Sequence, residues 1–76
     1  MKELVEYIAK SLVNDPDAVV ITEEIDIENG TVLKLKVADE DKGRIIGKQG
    51  RIAQAIRTII RVKAAKAGTK ASLEII

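Results

Sequence analysis

The spacing of apolar residues changes along this chain, and that change limits the fold more than any other feature. Near the start, Leu4, Val5, Ile8 and Leu12 stand at i, i+1, i+4 and i+8. This is one stripe of an amphipathic helix, with Lys2, Glu3, Glu6 and Lys10 on the opposite side. Asn14-Asp15-Pro16 ends that helix, because proline disfavours helix in the residue before it. From Ala18 to Ile27 the period drops to two. Val19, Ile21, Ile25 and Ile27 share one face, and Val20, Thr22, Glu24 and Asp26 share the other. Thr31 to Val37 alternates in the same way, with Leu33, Leu35 and Val37 against Lys34 and Lys36. Two strands with one buried face each are predicted, joined through Glu28-Asn29-Gly30.

A three-residue loop with a left-handed Gly30 would pair Ile25 with Leu33 and Ile21 with Val37. It would also set Glu24 beside Lys34 on the solvent face. A two-residue turn would instead put Lys34 opposite Ile25, and a one-residue slip inverts every side chain. The three-residue loop is therefore the expected connection, with Glu23 left near the sheet margin.

Helical spacing returns in the second half. Ala38-Asp39-Glu40-Asp41 leads into a short helix, with Asp39 the expected N-cap and the acids favoured by the helix dipole. Capping accounts for these carboxylates, so they are not read as a metal site. The short helix halts at Gly47, and a longer one runs from about Gly50 to Ala67, closed by Gly68. Ile52, Ala53, Ile56 and Ile60 form its core stripe, while Gln54, Arg57, Thr58 and Arg61 face water. Ala55, Ile59 and Val62 widen the apolar arc beyond what one core contact needs. Lys70 to Ile76 alternates again as a last strand. The predicted order is helix, strand, strand, helix, helix, strand, an α+β sandwich with helices on one face of a three-stranded sheet. At 76 residues the chain is expected to be one domain, 1–76.

Composition excludes several functions. The chain has no Cys and no His, so disulfides, thiolate zinc sites and the commonest general base are missing. No nucleophile–base pair can be assembled, and neither an enzyme nor a metal or cofactor is expected. No apolar run approaches the roughly 20 residues of a membrane span. Glu3, Glu6 and Lys10 interrupt anything resembling a signal peptide. A cytoplasmic protein without a membrane role is the expectation. Tyr7 is the only aromatic residue, expected to pack at the rim of the first helix.

Net charge is only +1, yet residues 1–41 carry four basic and eleven acidic side chains, and residues 42–76 carry nine basic and one acidic. A split of −7 against +8 points to a polyanionic partner, or to attraction between the halves within the fold. The basic half contains Gly43-Arg44-Ile45-Ile46-Gly47-Lys48-Gln49-Gly50-Arg51. Gly47 and Gly50 bracket a sharp helix–helix turn that allows close approach to its backbone, and Arg44, Lys48 and Arg51 stand around it. Of the two isoleucines, one is expected in the core and the other toward a groove. A P-loop needs four residues between its glycines followed by Lys-Ser or Lys-Thr, and a dinucleotide fingerprint needs glycine at position 45; neither fits.

This turn, its preceding Ile45-Ile46 pair and the element order resemble the signature of KH domains of the type II, prokaryotic form. A stand-alone domain of this length is similar to the small bacterial KhpA family of RNA-binding proteins. The resemblance implies that about four nucleotides of single-stranded RNA lie against the turn. The implied contacts are Gly43, Arg44, Ile46, Gly47, Lys48, Gln49, Gly50, Arg51 and Ala53, with residues near Leu35–Val37 adding to the groove floor. Ala53 stands where many KH domains have a larger aliphatic residue, and no aromatic is near for stacking, so weak binding with little sequence preference is expected. Arg57, Arg61, Lys63 and Lys66 are expected to be solvated or to attract at long range rather than to contact bases. The family further implies a post-transcriptional regulator or RNA chaperone. It implies homodimers, or heterodimers with a larger KhpB/Jag-like KH protein, and Ala55, Ile59 and Val62 are the expected interface.

Overall fold

The structure is a computed structural model that describes residues 1–28 and 30–76. The elements follow the order read from the sequence: α1 Lys2–Leu12, β1 Val20–Asp26, β2 Gly30–Lys36, α2 Lys42–Ile46, α3 Arg51–Lys66 and β3 Ala71–Ile75. Short 3₁₀ turns lie at Pro16–Ala18, Asp39–Asp41 and Lys48–Gly50. The sheet order is β1-β2-β3, with β1 antiparallel and β3 parallel to β2. This is the α+β architecture of the type II KH fold.

The core lies between the sheet and the helices. Leu33, Leu35, Ile45, Ile60 and Val5 are fully buried, joined by Ile21, Val37, Ile56 and Leu73. On α1 the centre of the stripe is Val5 and Ala9, with Leu12 and Ile8 packed partly at its edges. Tyr7 does not pack at the rim as expected. It is 71% exposed, because Val5 and Ala9 turn position 7 outward. On α3 the buried stripe is Ala53, Ile56, Ile60 and Ala64. Arg57 does not simply face water: it is half-buried, and its Nε donates to the Leu73 carbonyl at 3.4 Å.

The hairpin keeps the expected faces but not the expected register. Ile21 lies opposite Leu35, Ile25 opposite Thr31 and Asp26 opposite Gly30, two residues away from the Ile25–Leu33 pairing. A shift of two conserves the face of every side chain, so the alternation could not detect it. The start of β3 packs against the start of β2. The Thr31 amide donates to the Lys70 carbonyl at 2.9 Å, and Gly30, left-handed at φ +76°, lies so close to that carbonyl that a Cβ would strike it. The expected placement of Asn29 in the connection falls outside the described residues. The Glu24–Lys34 ion pair forms at 3.1 Å, but along the diagonal, since Lys34 lies opposite Thr22.

The acidic segment before α2 also departs from expectation. Asp39 makes no capping hydrogen bond and instead pairs with Lys42 at 3.4 Å. Asp41 is fully buried and accepts the amides of Asn14 and Asp15, both at 3.1 Å. It therefore ties the segment after α1 to the base of α2. A buried carboxylate is tolerated because two N–H donors and the Arg44 guanidinium, 3.7 Å away, replace its water.

Candidate nucleic-acid interface

The helix α2 ends because Gly47 leaves the helical region at φ +75°, ψ 174°, after its amide has closed the last turn onto the Gly43 carbonyl at 2.8 Å. Glycine is required at this position twice over. Almost no other residue adopts that backbone region. A Cβ would also lie 2.6 Å from Cγ1 of Ile52. Gln49 and Gly50 follow in left-handed conformations at φ 60° and φ 74°. Three of the four residues from Gly47 to Gly50 thus have positive φ. The Gly50 amide donates to the Gly47 carbonyl at 3.1 Å. Among the described residues nothing accepts from the Lys48 or Gln49 amide. No side chain caps the N-terminus of α3.

Around this backbone, Arg44, Lys48 and Arg51 are all exposed. Arg44 leans toward Asp41, and Arg51 donates to the Gln49 side-chain oxygen at 3.2 Å, leaving the Gln49 NH₂ group facing outward from that bond. Ile45 and Ile46 split as expected: Ile45 is fully buried and Ile46 is 41% exposed. Gly43, Arg44, Ile46, Lys48, Gln49 and Arg51 are thus exposed, with Gly47 and Gly50 half-buried. Ala53 is 3% exposed, and Leu35 and Val37 are buried beneath the helices, so these three belong to the packed interior. The apolar surface beside the turn is Ile46.

Gly43 differs from the other two glycines of the site. It is exposed and its backbone is helical, and as at Gly50 a Cβ there would meet nothing within 4 Å. Its open surroundings were not legible from the sequence.

The charge split is not consumed inside the fold. Lys10–Glu6 and Lys34–Glu24 lie within the acidic half, and the pairs that cross between halves, Lys42–Asp39 and Arg44–Asp41, are only three residues apart. Lys48, Arg51, Arg57, Arg61, Lys63, Lys66 and Lys70 form no ion pair among the described residues. Among the described residues no group of three or more carboxylates converges as a metal site, since Asp41 turns inward while Asp39 is 97% exposed. No helix of the described residues is long and apolar enough to cross a membrane.

Along α3, Ala55, Ile59 and Val62 remain outside the core. Ile59 is 46% and Val62 51% exposed. Ile59 and Val62 line a shallow groove with Thr58, Lys63 and Lys66, and Ala55 is exposed outside it.

Comparison with known proteins agrees with this architecture. The sequence model of the KhpA/KhpB KH domain matches residues 2–75. The chain is 54% identical to the RNA-binding protein KhpA of Clostridium perfringens, covering 100% of both chains. It is 50% identical to the protein of the same name from Listeria monocytogenes, covering 100% of this chain and 99% of that one. Identity to the Treponema pallidum protein is 45%, over 99% and 92% of the two chains. A search of solved structures gave no significant match. A family match over nearly the whole chain, with a glycine-bracketed turn in the expected place, makes this chain a member of the KhpA/KhpB KH-domain family.

Proposed function

We propose that this chain is a single KH domain over residues 1–76 that binds single-stranded RNA without catalysis. In this reading about four nucleotides lie against the Gly47-Lys48-Gln49-Gly50 turn. The observation that carries it is the turn itself: a backbone bare of Cβ atoms at both ends, with two amides lacking a protein acceptor and three exposed cations around them. Amides and cations together suit the phosphates of a chain passing over the turn. Gly43, Arg44, Ile46 and Arg51 border the path, Gln49 offers a neutral donor, and Ala53 acts from beneath. With Ile46 as the apolar surface and no aromatic beside it, the reading gives low sequence selectivity. Such a binder serves as an RNA chaperone or post-transcriptional regulator in the cytoplasm.

A shift assay with short single-stranded RNA tests this. Changing Lys48 and Gln49 together to Asp should abolish binding while leaving the fold intact, since Asp tolerates the left-handed backbone at position 49 better than Gln does. Neutralising three phosphates with Arg44, Lys48 and Arg51 gives a log–log salt slope of about −2. Unchanged binding in the double variant would exclude the turn as the site.

A second reading concerns α3. Its exposed flank of Ala55, Ile59 and Val62 favours pairing with a second copy or with a larger KhpB/Jag-like KH protein. Doubling a weak site raises its effective affinity. Sedimentation of an Ile59→Asp variant tests it. A native protein that stays monomeric at high concentration would count against self-association through this flank.

A further inference from the structure

The hairpin of β1 and β2 is the acidic end of the molecule. Glu23, Glu24, Asp26 and Glu28 lie on β1 or just after it, and Lys34 pairs with Glu24. Acids on an edge strand can serve only to discourage pairing with other chains. Here, however, they flank large uncovered aliphatics: Ile25 is 83% exposed and Ile27 103%. Ile25 shares the core face with Ile21, but the helical layer ends before it. A purely protective edge has no use for these side chains, whereas exposed aliphatics rimmed by charge make a docking surface.

The main chain offers the same opportunity. Among the described residues β1 is paired on one side only, so its outer edge from Val20 to Ile25 is met by no other strand. Its inner partner shows which side chains suit it. Opposite β1, the stretch Leu33-Lys34-Leu35-Lys36 of β2 alternates leucine with lysine. Its leucines lie on the face of Ile21 and Ile25, and Lys34 reaches Glu24 on the other. A strand added along the outer edge meets the same two rows of side chains.

A second copy of this chain cannot supply such a strand. Its own β1 would set acid against acid, its β2 is paired on both sides, and its β3, Ala71–Ile75, contains Glu74 and no lysine. We propose that β1 docks an extended segment of another protein, in which lysine or arginine alternates with aliphatic residues, by strand addition along its outer edge.

The hairpin end of the site, where Ile25 is exposed, lies away from the glycine turn. β2 runs from the hairpin toward α2, and α3 runs back over sixteen residues, about 24 Å, in a molecule 34 Å long. A docked segment therefore leaves the turn open to a nucleic acid, which the acids of the hairpin would themselves repel. The two ends of the charge split thus serve two different partners.

The test is an NMR titration of the whole chain with a capped peptide alternating lysine and valine, as long as the seven residues of β1. Amide shifts should concentrate on Val20–Asp26, saturate, and weaken as salt is added. A peptide alternating glutamate and valine should give none. Ile25→Lys lies outside the core, so that variant should stay folded and bind the lysine peptide about tenfold more weakly. Shifts spread equally to Glu3 and Glu74, undiminished affinity in Ile25→Lys, an equal response to the acidic peptide, or no response at millimolar peptide would each overturn the proposal. Concentration-dependent shifts on β1 without peptide would assign the edge to a second copy and overturn the choice of partner.

Discussion

Three glycines around the turn should respond very differently to the same change, to alanine. At Gly47 two costs combine. The backbone at φ +75°, ψ 174° costs a residue with a Cβ about 1–3 kcal/mol. The new methyl would lie 2.6 Å from Cγ1 and 2.8 Å from Cβ of Ile52. Those atoms belong to a branched side chain packed against the core, so relief requires shifting the first turn of α3, at roughly 1–3 kcal/mol. A 76-residue domain has about 4–11 kcal/mol in total. A loss near the middle of the combined range, about 4 kcal/mol, would lower Tm by roughly 15–30 °C. At Gly50, φ +74° remains unfavourable but the methyl meets open space, leaving about 1–2 kcal/mol. At Gly43 the backbone is helical and the space is open, so alanine should stabilise by up to about 1 kcal/mol. Urea unfolding of the three variants, with slopes checked for constancy, measures the series. A Gly47→Ala variant no less stable than Gly50→Ala, or a destabilised Gly43→Ala, would refute the reasoning.

Other consequences follow from single contacts. Asp41→Ala leaves the Asn14 and Asp15 amides without their acceptor and should cost about 2–4 kcal/mol, with Asp41→Asn milder because one carbonyl remains. Urea midpoints, with faster hydrogen exchange at those two amides, check this. Glu6 is held below the ordinary glutamate range, first by its hydrogen bond from Lys10 at 2.8 Å and then by the Lys10 charge. A depressed carboxyl favours the folded state when ionised, so its small contribution is complete at neutral pH. It fades as pH falls through the lowered value. The Lys10→Met variant should show a correspondingly flatter acid limb in thermal melts, and an unchanged limb would refute that assignment.

Much of the site was legible in residue order because its causes are local. Gly47 and Gly50 had to turn the chain, and the cations beside them were evident in the sequence. What the sequence left open was depth. Spacing puts Ala53 on the core stripe and the family resemblance makes it a site residue; it is buried, whereas Ile46 stays at the surface. Which of Ile45 and Ile46 turns inward depends on how α2 packs against α3 and α1. Asp41 looked like one of three acids before a helix, and only the approach of the segment after α1 gave it two buried donors.

The sequence by itself determined the element order, the faces of the strands and the place of the turn. All three rest on a period of two or 3.6, or on the need of one residue to lack a Cβ. Tertiary structure decided the register, which sets Ile25 opposite Thr31, and the two-residue difference leaves every face unchanged. It also decided that Ile21 is covered and Ile25 is not. Alternation says which side chains share a face, but how far the opposing helices extend over that face is set by their packing. The same boundary separates the core of this protein from the edge proposed to bind a partner.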